Sequence, residues 1–488
     1  MVYSLNMIFN SIDFAIFLPI VFILYWFVTD KNLSSQNFLI VVASYIFYGW
    51  WDWRFLLLII FSTIVDFTIG HKLKTEQNQI KRKILLWSSI FVNLGFLGFF
   101  KYYNFFLDNF ITAFSFFGTE IKANTLNIIL PVGISFYTFQ TLSYTIDVYK
   151  KKLVPSTDYV AFSAFVSFFP QLVAGPIERA TNLLPQFYKR REFAYSKAAD
   201  GMRQILWGLF KKIVIADNCA TYANEIFNNS ADMNGSTLVL GAIFFTFQIY
   251  GDFSGYSDIA IGTSRLFGFN LKQNFATPYF SRDIGEFWRR WHISLSTWFR
   301  DYLYIPIGGS RGGTWMKVRN TFAIFLVSGF WHGANWTFII WGALNAIYFL
   351  PLLLTNNNRN NLEIVAKGKS LPSFKELFLI LLTFSLTVFA WIFFRADNLV
   401  HAISYVSEIF SYSLFDVPNK LILKKSLTTI FLIVLFIFIE WIGRRNLYGI
   451  QKLFFYNKRI YRYVFYCLLI FIIFWFGGKE QQFIYFQF

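Results

Sequence analysis

Two cysteines, Cys219 and Cys467, are the only thiols in 488 residues. They stand far apart in largely apolar settings, so neither a disulfide framework nor a thiolate metal site organises this fold. Charge is scarce too: charged residues make up 15% of the chain, against 56% hydrophobic, and Phe alone occurs 65 times. A soluble domain has no use for so much apolar surface, and several runs are long enough to cross a bilayer. The acidic sign is the scarcer one, with 27 Asp and Glu against 44 Lys and Arg and a formal net charge of +17. In a soluble protein that excess would point to nucleic acid. Here the basic residues lie in loops between apolar runs, the pattern that orients spans toward the cytoplasm and meets anionic lipid headgroups. Membrane lipids are expected as partners, and nucleic acid is not. No basic segment precedes the first apolar run, so that run is expected to act as an uncleaved insertion signal, with Met7 an alternative start to Met1.

Histidine is rarer still, four in all. The most informative absence lies between Asn320 and Leu350, NTFAIFLVSGFWHGANWTFIIWGALNAIYFL, which holds no Lys, Arg, Asp or Glu. About 20 helical residues cross a hydrocarbon core, so this run is too long for one straight span. It should bend or break at Ser328-Gly329 or Gly333-Ala334. His332 and Asn335 stand in its middle, flanked by Trp331 and Trp336. A titratable ring at such depth is a functional candidate; the competing reading is a buried imidazole bonded to a carbonyl. Asn335, three residues on, is placed on the same helical face as His332, where it could orient the ring or a substrate. His71 and His401 are read as structural or solvated.

In chain order, Phe14 to Val28 reads as a first span, followed by Lys31. Phe38–Trp51 and Phe55–Gly70 read as a hairpin returning to a basic loop at 71–83, which places the N-terminus outside. Ile84 to Phe100 then crosses, 102–118 lies along the outer surface or dips partway in, and Leu126–Ile146 returns to Lys150, Lys151 and Lys152. Pro170 and Gly175-Pro176 interrupt the next apolar run, as in a re-entrant segment. Ser196–Phe227 alternates apolar and basic residues at helical spacing, which predicts an interfacial helix. Asp252 and Asp258, beside Tyr256, follow an apolar helix and are expected to pair with arginines or cap helices. Residues 356–373 read as a mobile linker, before spans at Leu377–Phe394, Ile430–Ile442 and Tyr463–Phe476. The whole is an all-α polytopic membrane protein of ten to twelve segments, partial ones included. It is expected to form a single integral-membrane domain over 1–488: N-terminal helices 1–150, a core over about 151–350, and C-terminal helices 374–488.

Polar residues are densest at 274–313, NFATPYFSRDIGEFWRRWHISLSTWFRDYLYIPIGGSRGG. Guanidinium groups bind phosphate by paired hydrogen bonds, and indole faces pack on flat or apolar groups. Arg289, Arg290, Trp291, Ser294, Trp298, Arg300 and Asp301 are therefore candidates for holding a phosphate-bearing thioester with an apolar arm. An interfacial aromatic-basic belt explains the same composition.

PVGISFYTFQ (131–140), FFPQLVAGPIER (168–179), YGDFSGYSDIAIG (250–262), FWRRWHISLSTWFRDYLYIPIGG (287–309) and FWHGANWTFIIWG (330–342) together resemble the landmarks of membrane-bound O-acyltransferases. The opening MIFNSIDFAIFLPIVFILYWF and closing FIYFQF resemble the bacterial alginate O-acetylation branch. The resemblance implies a ring of tilted helices around a central cavity, with re-entrant and interfacial helices. It makes His332 catalytic within that cavity and sets His292, a second catalytic candidate, nearer the cytoplasmic mouth. It further implies an enzyme of the bacterial inner membrane with no bound cofactor. The donor would be acetyl-coenzyme A or an acyl-carrier thioester, and the acceptor an extracytoplasmic polysaccharide. A periplasmic or membrane-anchored, esterase-like partner would complete transfer. Two rival readings are D-alanyl transfer to teichoic acid, which shares the core motifs, and a transporter. The transporter predicts inverted hydropathy repeats that the sequence does not show.

Overall fold

The computed structural model describes every residue except 1–6, 31, 117–124, 174, 455–457, 478–480 and 485–488. Lys31, the end of the 102–118 segment and most of the closing motif lie outside the described residues. The described chain is helical throughout, with no strand among the described residues. In hydrocarbon no water satisfies the backbone, so a helix, which satisfies its own, is what these apolar runs must form.

Six helices are long and apolar enough to cross a membrane, and Ile12–Val28, Tyr159–Leu172 and Leu399–Ile409 are shorter apolar ones. The chain is a multi-pass membrane protein. It folds into two compact units: Met1–Gly201 with Thr263–Lys272, and Met202–Gly262 with Gln273–Phe488.

In the first unit, helix Leu33–Thr75 is broken at Asp52, whose φ of −162° and ψ of 109° are extended. Leu56 Cδ2 comes within 3.9 Å of where a Gly49 Cβ would sit. Seven residues of straight helix rise about 10.5 Å, so the chain bends sharply here, where the hairpin was expected. The expected basic loop at 71–83 is mostly helix. The first helix runs on to Thr75, the next starts at Gln79 under an Asn78 cap, and buried Arg82 donates to Leu73 O and Tyr149 O. Helix Gln79–Phe116 has 38 residues, about 57 Å at 1.5 Å each, so the segment from Tyr102 continues a helix rather than starting a new element. The run expected to span from Leu126 becomes helical only at Ile134. Pro131 and the left-handed Gly133 (φ +74°) hold the chain open before it. The interrupted segment matches its sequence, with short helices Tyr159–Ser167, Phe169–Leu172 and Ala180–Phe187.

The second unit corrects the interfacial helix. Lys211 and Lys212 face inward: Lys212 Nζ lies 2.8 Å from both Asp217 and Asp252, and Lys211 Nζ lies 2.5 Å from Asp258. The amphipathic period is real, but its cations meet carboxylates on helix Gly235–Leu266, which local sequence cannot reveal. The partners of Asp252 and Asp258 are thus lysines rather than arginines. Residues 356–373, expected to be mobile, are pinned. Arg289 donates to Asn358 O (2.8 Å) and Asn361 O (2.9 Å), Arg282 to Glu363 O (2.5 Å), and Arg444 to Val365 O (3.2 Å) and Lys369 O (2.8 Å). The C-terminal spans take form as Phe374–Arg395, Lys420–Gly443 and Arg459–Trp475.

Candidate functional site

The charge-free run does break, at the second of the two expected places. Helix Thr314–His332 ends at Gly333, extended at φ −163°, and helix Trp336–Leu354 begins beyond it. A Cβ on Gly333 would collide with the Phe338 ring, so glycine is what lets the chain turn there. No bend occurs at Ser328-Gly329, which lies within the first helix. His332 therefore stands at a helix C-terminus, as the last residue of its helix.

His332 is 4% exposed and closely caged. Its ring centroid lies 4.9 Å from Trp331, 5.2 Å from Trp341 and 5.3 Å from Phe394. Trp341 stacks in turn on Trp391 at 5.5 Å. Trp331 also lies 6.3 Å from the ring of His292, so one indole bridges the two imidazoles.

His292 is buried at the start of helix Ile293–Phe299, in left-handed backbone with φ +43°. Its Nδ1 lies 3.2 Å from Asn274 Oδ1, which also accepts from Ser294 N (3.2 Å) and Ser294 Oγ (2.9 Å). A backbone N–H can only donate, so the atom it meets is the Asn274 oxygen, and His292 must donate from Nδ1. That leaves Nε2 as a bare lone pair, buried and without a partner among the described residues. Phe253 stands edge-on at 4.6 Å. Burial holds this ring's pKa down at about 3, so it is neutral, with Nε2 a hydrogen-bond acceptor rather than a strong base.

The other sequence candidates divide. Ser294 joins the His292 clamp, and Trp331 joins the two histidines. Trp298 packs on Tyr302 at 5.0 Å. Trp291 is buried against Phe287 and Trp391. Arg290 is paired with Glu286 at 2.8 Å, and Arg289 holds the 356–373 segment. Arg300 and Asp301 pair with each other at 2.7 Å on the exposed side. Trp336 is 50% exposed. Asn335 does not share a helix face with His332. It caps the following helix, accepting from Thr337 N at 3.1 Å and donating to Asp397 O at 2.8 Å. His401 is structural, its Nε2 3.1 Å from Ser230 Oγ. Sequence reasoning missed Asn274, Trp341 and Phe394. Asn274 opens the polar stretch, but one Asn at the head of a 40-residue segment carries no local signal of what it clamps.

This helical multi-pass membrane protein thus holds two buried imidazoles, each in ring contact with the Trp331 indole. Residues 149–392 match the model of the MBOAT, membrane-bound O-acyltransferase, family. The chain is 40% identical over 417 residues to the probable alginate O-acetylase AlgI of Pseudomonas aeruginosa, covering 85% of this chain and 76% of that one. It is 36% identical over 415 residues to the peptidoglycan O-acetyltransferase of Helicobacter pylori (79% and 76%). Similarity to the teichoic acid D-alanyltransferase of Bacillus subtilis is 30% over 243 residues (45% and 58%). The protein belongs to the membrane-bound O-acyltransferase family and is an O-acyltransferase.

Proposed function

We propose that this enzyme works in the bacterial cytoplasmic membrane. It takes acetyl groups from a cytosolic thioester, acetyl-coenzyme A or an acyl-loaded carrier, toward hydroxyls of an extracytoplasmic polysaccharide. The observation that carries the reading is the likeness to O-acetylases of envelope polysaccharides across about four-fifths of the chain, against under half for the D-alanyltransferase. An imidazole within the membrane lets a donor on one side meet an alcohol on the other without either crossing. In this mechanism neutral His332 takes the hydroxyl proton as oxygen attacks the thioester carbonyl, and returns it to the leaving thiolate. With the ring 4% exposed, the aromatic side chains around it must yield for substrate to enter. His292 offers a second acceptor through Nε2. A periplasmic or membrane-anchored esterase-like partner completes delivery to the polymer.

Membrane vesicles given labelled acetyl-coenzyme A or an acetyl-loaded carrier protein test this. Acetyl transfer should fall by about a hundredfold or more in His332→Ala at normal expression. Undiminished transfer in that variant removes His332 from the mechanism. Preference for a D-alanyl-loaded carrier would move the enzyme to the other branch.

A further inference from the structure

In the first unit, a cavity of about 440 Å³ opens beside the end of helix Ile12–Val28, lined by Trp26, Lys189, Arg190, Arg191, Lys197 and Arg265. A second cavity of about 300 Å³ shares Trp26, Arg190, Arg191 and Glu192 with it and extends to Phe22, Phe27 and the carboxylate of Asp30. Arg191 is the telling residue. It is 7% exposed, yet its guanidinium meets neutral groups: Asn37 Oδ1 at 2.7 Å, Gln36 Oε1 at 3.4 Å, Gln186 O at 3.2 Å and the Tyr25 hydroxyl. Its Nε has no partner among the described residues. The face of Phe269 lies 4.8 Å from it. A buried cation without a counter-charge is costly, and a bound anion relieves that cost.

The rim adds Lys189, Arg190 and Lys197, exposed and in no ion pair among the described residues. Arg265 is neutralised by Asp200 at 2.6 Å, and Glu192 is the carboxylate in the first lining. The ligand's other half is written on the helix beside the pocket. Phe27 is 75% exposed, and Ile23 and Val28 are exposed with it, an apolar face of the kind that meets acyl chains. Trp26 is fixed between the two by donating to Leu266 O at 2.9 Å. Cations at the end of an apolar helix face are where a headgroup phosphate meets the surface of a bilayer.

We propose that this pocket binds the headgroup phosphate of an anionic phospholipid, with Arg191 as its inner ligand and Lys189, Arg190 and Lys197 as its rim. The guanidinium fork suits a phosphate's paired oxygens. The proposal stands on the first unit alone and is independent of which polysaccharide accepts the acyl group. It is tested on the full-length protein in detergent, following its thermal midpoint as phosphatidylglycerol, phosphatidylcholine or coenzyme A is added. Phosphatidylglycerol should stabilise and phosphatidylcholine should not. The Lys189→Glu/Arg190→Glu/Lys197→Glu triple variant, which touches only exposed side chains, should weaken the apparent affinity for phosphatidylglycerol about tenfold or more. Arg191→Lys, which keeps the charge but loses the fork, should weaken it as well. An equal response to phosphatidylcholine, or an unchanged response in the triple variant, overturns the proposal. Stabilisation by coenzyme A alone, lost in the triple variant, also overturns it and gives the pocket to the thioester donor.

Discussion

An imidazole that donates from Nδ1 is left with one use for Nε2, and at His292 that lone pair is aimed into an apolar enclosure. Its pKa of about 3 lies below the 6.5 of an exposed ring, so between those values the unfolded chain binds a proton that the folded chain does not. The stability gained by keeping the ring neutral is complete above about pH 6.5 and is lost as pH falls, by up to about 1.4 kcal/mol per unit. The thermal midpoint in detergent should therefore drop between pH 7 and 5, and His292→Gln should flatten that slope. An unchanged slope would exclude His292 as its source. At Asn335 the structure replaces a role in orienting the ring with capping. Asn335→Ala should cost about 1 kcal/mol of stability, while Asn335→Ser, which still caps, should retain it. If both variants keep normal acyl transfer per folded molecule, the residue does not touch substrate.

At the scale of elements, the site depends on two helices that approach closely on either side of a turn. A Cβ on Gly342 would strike the Phe325 carbonyl across that contact, which a side-chain rotation cannot relieve. Gly342→Ala should cost about 1 to 3 kcal/mol and lower transfer along with the thermal midpoint. A variant as stable as the parent would show that the helices can part without consequence. The break at Gly333 was legible because glycine, a polar pair and excess length coincide there. The helix start at Ile134 was not, since Leu126–Leu130 is as apolar as a span and only Pro131 and Gly133 mark the boundary. The pinned 356–373 segment was hidden for a different reason. Its polarity resembles that of a linker, and the arginines that bind its carbonyls come from 282, 289 and 444.

For the molecule as a whole, the buried charges of the second unit hold distant parts of the chain together. Lys212 answers Asp217 and Asp252 and donates to Gln481 O at 3.0 Å. Removing one partner of such a network leaves bare charge, so Lys212→Met should cost about 3 to 5 kcal/mol. Adding Asp217→Asn and Asp252→Asn should restore much of the loss, read as folded yield and thermal midpoint. A single variant with unaltered stability would mean that water already reaches these groups.

Composition and hydropathy alone determined that this is a helical membrane protein, because a bilayer admits only helices and closed barrels, and long continuous apolar runs lack a barrel strand's alternation. The motif residues pointed to His292 through the family resemblance, and to His332 also because its titratable ring stands in a charge-free run. Tertiary structure decided what those rings meet. Trp331 against His292, Asn274 fixing one tautomer, and Asp258 and Asp252 facing Lys211 and Lys212 are contacts that local sequence does not record. Periodicity records which face of a helix is buried, but not what the fold brings against it.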